Sequence, residues 1–357
     1  MTGIGGLGPW PGTEPFPAQQ QVLDVLAAAP SGVEGIPHLV TLPGRGPGGE
    51  AVGRALALSE SMPATLEPHG WRLGLVGDHT LRRARSWLAE DVEALGLAAS
   101  GYSGPLALPV LGPWTLAAST WLPRGERVVS DAVAVRDVVA ALAAGVLDHL
   151  AAVSRALSWA TILGGEAPAQ PPGEPAAAGG APRFTVVLAE PRLDAVLHGA
   201  VSSFSGVSRL ASVEPGVVAG AVRTLVEAWA DVADVVVVAP GDAETIRTVR
   251  SAGVAGLALD VPRLGGAAWD AVGEAIESGL RLWAGVAPAR GDGAAPRPDD
   301  VAQVLLEPWR RLGLASEGLD AVVLTPRSGL AGASPAAARA TLDDVARAAA
   351  ALGELVA

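Results

Sequence analysis

Phe184-Thr-Val-Val-Leu-Ala-Glu-Pro-Arg-Leu193 is the stretch whose reading decides the fold. Phe184 to Leu188 is a short apolar, β-branched run without alternation, which suits a parallel strand covered on both faces. Pro191 has no N–H to give a ladder and is at home in the first turn of a helix, so the strand ends before it. Glu190 is thereby left at the carboxyl end of a central strand. In an α/β barrel, that end carries ligands and chemistry.

Working outward, strands and helices alternate on both sides. Downstream, strands are expected at 235–238, 256–260, 280–286 and 321–324. Helices are expected near 217–230, 243–252, 267–277, 298–312 and 334–355. Upstream, Thr2-Gly-Ile-Gly-Gly6 reads as a very short strand, followed by strands at 36–42 and 106–111. Helical spacing covers 19–29, 51–61, 80–97 and 131–159, and Trp71-Arg-Leu-Gly-Leu75 reads as part of an inserted hairpin. Eight strand–helix steps imply parallel βαβ units closed into a (β/α)8 TIM barrel. The expectation is a single barrel over 1–357. Its Gly/Ala/Pro-rich stretch at 164–182 has nothing to bury and reads as a flexible insertion.

Composition bounds the function. The chain has 357 residues, half of them hydrophobic, and a net charge of −12. An acidic chain argues against a nucleic-acid or anionic-membrane surface, so the expected partner is a small molecule. All 25 basic residues are Arg. With no Lys, Schiff-base chemistry, pyridoxal phosphate attachment and a P-loop lysine are excluded. With no Cys, so are disulfides, thiolate ligands and cysteine nucleophiles. The first ten residues lack the basic and apolar regions of a signal peptide, and Asp148 and His149 interrupt the longest apolar tract. A cytoplasmic protein without a membrane span is therefore expected.

The expected strand ends bring together Gly3, Gly5, His38, Trp114, Thr115, Glu190, Asp260, Gly285 and the segment Thr325-Pro-Arg-Ser328. Glu190, Asp260 and Ser328 are expected to converge at one mouth. A carboxylate ending a strand also suits a helix N-cap, and that reading stands beside the functional one for both acids. Arg45 sits in a Gly/Pro loop suited to facing an anion. His69, His79, His149 and His198 have no partner at metal-ligand spacing.

The order Thr2-Gly-Ile-Gly5, Gly112-Pro-Trp-Thr-Leu116, Ala189-Glu-Pro-Arg-Leu193, Leu257-Ala-Leu-Asp260 and Thr325-Pro-Arg-Ser-Gly-Leu330 resembles the C-terminal catalytic barrel of cobalamin-independent methionine synthase, in its short, single-barrel actinobacterial form. Uroporphyrinogen decarboxylases are related barrels. The resemblance implies methyl transfer to a homocysteine-type thiol held by zinc, whose ligands in the family are His, Cys, Glu and Cys. Carried over, these positions fall near Val236 and Val238, on Asp260 and on Ser328. Asp260 is the one surviving candidate ligand, so zinc of the family type is not expected. The resemblance further implies that Gly3, Ile4, Gly5 and Glu190 hold an amino acid, while Trp114 or Trp121 stacks a flat methyl donor. Two alternatives stand beside methyl transfer. One is a barrel that binds a small molecule without turnover. The other is a metal-free decarboxylase-like lyase in which Arg45, Arg327 and Asp260 hold a polycarboxylate.

Overall fold

The computed structural model describes residues 1–163, 183–291 and 295–356. The insertion expected at 164–182 lies outside the described residues. Ten strands are present among them: β1 (Gly3–Gly5), β2 (Glu34–Ile36), β3 (Ala64–Glu67), β4 (Gly70–Leu73), β5 (Leu106–Leu111), β6 (Phe184–Ala189), β7 (Ala233–Val238), β8 (Gly256–Asp260), β9 (Arg281–Ala287) and β10 (Val323–Pro326). Eight form one sheet in the order β2-β1-β10-β9-β8-β7-β6-β5, and every pairing is parallel. Beyond β2 the chain closes the ring. The Leu39 N–H donates to the Ala107 carbonyl at 3.0 Å, and the Ala107 N–H to the Pro37 carbonyl at 2.8 Å. The molecule is thus the expected barrel, with β3 and β4 as an antiparallel hairpin outside the ring.

The second strand is shorter than the sequence implies. Pro37 cannot donate, and the side chain of Gln19 takes over part of the pairing. Its amide donates to the His38 carbonyl at 2.8 Å and accepts the Val40 N–H at 3.0 Å. Gln19 comes from the helix Pro15–Leu26 and is fully buried. A buried amide meeting two backbone groups spares both the cost of lost solvation.

Two apolar clusters follow from the two buried faces of the strands. Inside the ring lie Ile36, Ala107, Val187, Val236, Ala258, Trp283 and Val323. The other face of each strand packs under the surrounding helices, as Val186 and Leu188 do on β6. Trp283 fills the ring because β1 is thin: a Cβ on Gly5 would lie 3.3 Å from the indole. The helix Ala132–Leu163 contains a stretch, Ala132–Ser158, long and apolar enough to cross a membrane by composition, and 50% of its most apolar window is buried inside the fold. It packs against the helices His79–Ala98 and Pro215–Trp229.

Candidate functional site

The mouth of the ring is built by the carboxyl ends of the strands. Asp260 ends β8, and Arg327 follows β10 directly. Strand β9 runs between them, and its residue at that level is Gly285. A Cβ there would lie 2.9 Å from the Leu259 carbonyl and 3.0 Å from Arg327 Cα. Because Gly285 has no side chain, the two neighbours reach across it. Arg327 Nε donates to Asp260 Oδ1 at 2.7 Å and Nη2 to Oδ2 at 3.4 Å. Arg263, largely exposed, approaches Oδ2 at 3.5 Å from outside. Below the pair is a cavity of about 110 Å³, walled by Leu7, Val238, Ala258, Gly285 and Thr325. The guanidinium–carboxylate contact thus sits at the edge of a small cavity, with both side chains partly exposed.

The pairing answers the capping question for Asp260. Its side chain caps no helix and makes ion pairs instead. Ser328 is exposed, and its hydroxyl donates to the Gly329 carbonyl at 3.4 Å. It shares the rim with Asp260 but no hydrogen bond joins them among the described residues.

Glu190 has a different job from the one its position suggests. It is fully buried, and its oxygens accept the N–H of Trp114 at 2.9 Å and of Thr115 at 2.7 Å. It therefore caps the helix Pro113–Ser119, whose own N-cap residue, Gly112, has no side chain to do so. The same glycine makes the space: a Cβ on Gly112 would meet the Glu190 carboxyl at 2.3 Å. Burial raises the Glu190 pKa to about 7, against the opposing pull of hydrogen bonds from Thr115 and the two amides. Expected to meet Asp260 and a substrate, the carboxylate meets a helix end.

The other expected residues are likewise committed. Gly3 and Ile4 are paired by β2 on one side and β10 on the other, so their backbone groups are spent on the ladder. Trp114 is buried, and its indole N–H donates to the Val218 carbonyl at 3.2 Å. It lines a groove on the outside of the barrel, between the helices Ala132–Leu163 and Pro215–Trp229. Thr115 Oγ1 accepts the Arg192 N–H at 3.2 Å. Trp121 is buried under the guanidinium of Arg127, 3.5 Å from its ring centroid, and edged by His69 and Phe204. No face of Trp121 is left for a flat ligand. Arg45 Nη1 donates to Asp91 at 3.0 Å and its Nε to the Thr13 carbonyl at 2.7 Å. It makes no contact with Arg327 among the described residues.

The family's zinc does not fit these residues. Val236 is part of the apolar ring interior, Val238 borders it, Asp260 is held by guanidinium groups and Ser328 offers a neutral hydroxyl. Among the described residues no group of three or more His, Cys, Asp or Glu is arranged to hold a metal ion. His38, two residues beyond β2, is buried with Nδ1 unpartnered, and burial lowers its pKa to about 4. It stands as a neutral imidazole.

Sequence reasoning missed Arg127 and Arg192, which meet at Ser119 on the same rim. Arg192 sits inside the motif that decided the fold, and its position there was the available signal. Arg127 carries no signal in its neighbours.

No family profile matches the chain, and no curated protein matches it in sequence. Among solved structures it is similar to a B12-independent methionine synthase from Shewanella sp. W3-18-1 in complex with selenomethionine. The two are 10% identical, the match covers 75% of this chain and 67% of that one, and the TM-score is 0.48. That likeness bears on neither substrate nor chemistry. By its own geometry the chain is a TIM barrel with a charged pair at the mouth formed by the carboxyl ends of its strands.

Proposed function

We propose that the chain binds a small zwitterionic or carboxylate-bearing metabolite at the barrel mouth, through Asp260 and Arg327 and without a resident zinc. One observation carries this reading: a carboxylate and a guanidinium held together across Gly285 at the lip of a cavity walled, apart from Thr325, by apolar residues. A carboxylate of the ligand exchanges onto Arg327 and an ammonium onto Asp260, so each charge keeps a partner on binding. Thr325, 1% exposed at the cavity wall, adds a hydroxyl. The volume admits a head group rather than a cofactor ring.

Methyl transfer of the zinc-thiolate kind draws no support from these residues, since of the positions that would activate a thiol two are aliphatic, one is a hydroxyl and the fourth, Asp260, is paired with Arg327 and Arg263. The polycarboxylate cradle of the lyase reading loses Arg45 to Asp91. The test is calorimetric titration with a panel of amino acids and short dicarboxylates. Binding by the wild type should weaken roughly ten-fold or more in Asp260→Asn and Arg327→Gln, the loss expected for a charge-assisted contact. A panel without any binder, or ligands bound equally by both variants, refutes the reading.

A further inference from the structure

The loops after β5 and β6 hold a second charged cluster. Arg127 Nη1 donates to the Ser119 carbonyl at 3.2 Å. Arg192 Nη1 donates to Ser119 Oγ at 3.3 Å and to the Ala118 carbonyl at 3.2 Å. Two guanidinium groups therefore close on one serine, and all their acceptors are neutral. Arg45, Arg54 and Arg327 each have a carboxylate partner. Arg127 and Arg192 have no ion pair among the described residues, in a chain with 37 acidic side chains. Glu126, whose charge reaches Arg127, spends Oε1 on the backbone N–H of Arg127 at 3.1 Å and of Phe204 at 3.0 Å, so it fixes the loop. Arg127 Nε is buried and has no acceptor.

Holding two like charges together in half-buried positions costs free energy that an anion between them would recover. In keeping with this, the Arg127 pKa is lowered to about 10 by burial and then by the charge of Arg192, against the smaller opposing pull of Glu126. The groups are also held in place beforehand. Arg127 lies flat on Trp121, and the Arg192 backbone is tied to Thr115 Oγ1. Little side-chain freedom is left to lose on binding, which favours affinity.

We propose that Arg127 and Arg192 form an oxyanion subsite on the rim of the barrel, taking the phosphate or carboxylate group of a small ligand. It shares no residue with the Asp260–Arg327 pair, so either can fail alone. The experiment follows the arginine Nε–Hε resonances of the uniformly ¹⁵N-labelled full chain during titration with inorganic phosphate, with acetate, and with chloride as the ionic-strength control. Saturable shifts of two arginine resonances are expected, lost in Arg127→Gln and in Arg192→Gln and kept in Asp260→Asn. Phosphate binding tighter than acetate assigns the subsite to phosphate, and the reverse order to carboxylate. If Arg127→Gln fails to fold without its contact to Trp121, Arg192→Gln must still weaken binding about ten-fold. Wild-type resonances that drift only as they do in chloride overturn the proposal. So does phosphate binding that survives Arg192→Gln unchanged.

Discussion

At the scale of single residues, Glu190 and Gly112 act as one unit. The carboxylate fills the space where a Cβ would be and satisfies two amides of the helix Pro113–Ser119. Gly112→Ala should therefore cost about 3 kcal/mol or more, since neither the helix end nor a buried carboxyl can yield 1 Å cheaply. Urea denaturation measures it. Glu190 also leaves a signature in pH. Its folded pKa of about 7 lies above the ordinary 4.5, so between those values the unfolded chain is ionised while the folded one keeps its proton. Its contribution to stability falls as pH rises through that window, by about 3 kcal/mol, and is level above it. Glu190→Gln should remove this component of the pH profile. An unchanged profile would mean that Glu190 does not titrate there.

At the scale of elements, the helix Ala51–Ala57 is bound to the helix His79–Ala98 by a buried charge cluster. Arg54 and Arg45 both donate to Asp91, which is fully buried. Burial raises the Asp91 pKa and the two guanidinium groups lower it. Removing Asp91 strands two buried guanidinium groups, whereas removing Arg54 leaves Asp91 with Arg45 as a partner. Asp91→Leu should cost about 3–5 kcal/mol, whereas the paired change Arg54→Met with Asp91→Leu, which leaves only Arg45 to find another partner, should cost less. A double-mutant cycle in urea reads the difference, and additive costs would contradict it. The helical spacing of both segments was legible in sequence. The Arg54–Asp91 contact was not, because it joins residues of different helices that only the barrel brings together.

At the scale of the molecule, two buried histidines set the acid limit. Burial lowers His38 to about 4 and His149 to about 3, the latter helped by the charge of Arg54. Unfolded, both take up protons near 6.5, so stability falls as pH drops below that value. Each histidine contributes a slope of about one proton's worth, and Glu190 opposes with the same, so one of the two is cancelled. A net loss of roughly 1 kcal/mol per unit is expected between pH 6.5 and 4.5, and His149→Leu should flatten it. Elemental analysis of the purified protein should find no stoichiometric zinc, and no methionine should form from homocysteine and a methyl donor when zinc is supplied. Stoichiometric zinc would show that the donor set has been misjudged.

The order and kind of the elements was settled by local sequence. Runs such as Phe184–Leu188 bury both faces, and Pro191, Gly112 and Gly285 mark the ends where helix, strand and mouth meet. Periodicity and backbone restriction act over a few residues, so one chain suffices to read them. The composition likewise removed lysine and cysteine chemistry without any coordinates. Which way each strand-end side chain turns was left to the tertiary structure. Glu190 and Asp260 look alike in sequence, yet one lies under the neighbouring helix and the other across Gly285 on Arg327. That choice is made by partners dozens of residues away, whose amides and guanidinium groups become neighbours only when the ring closes.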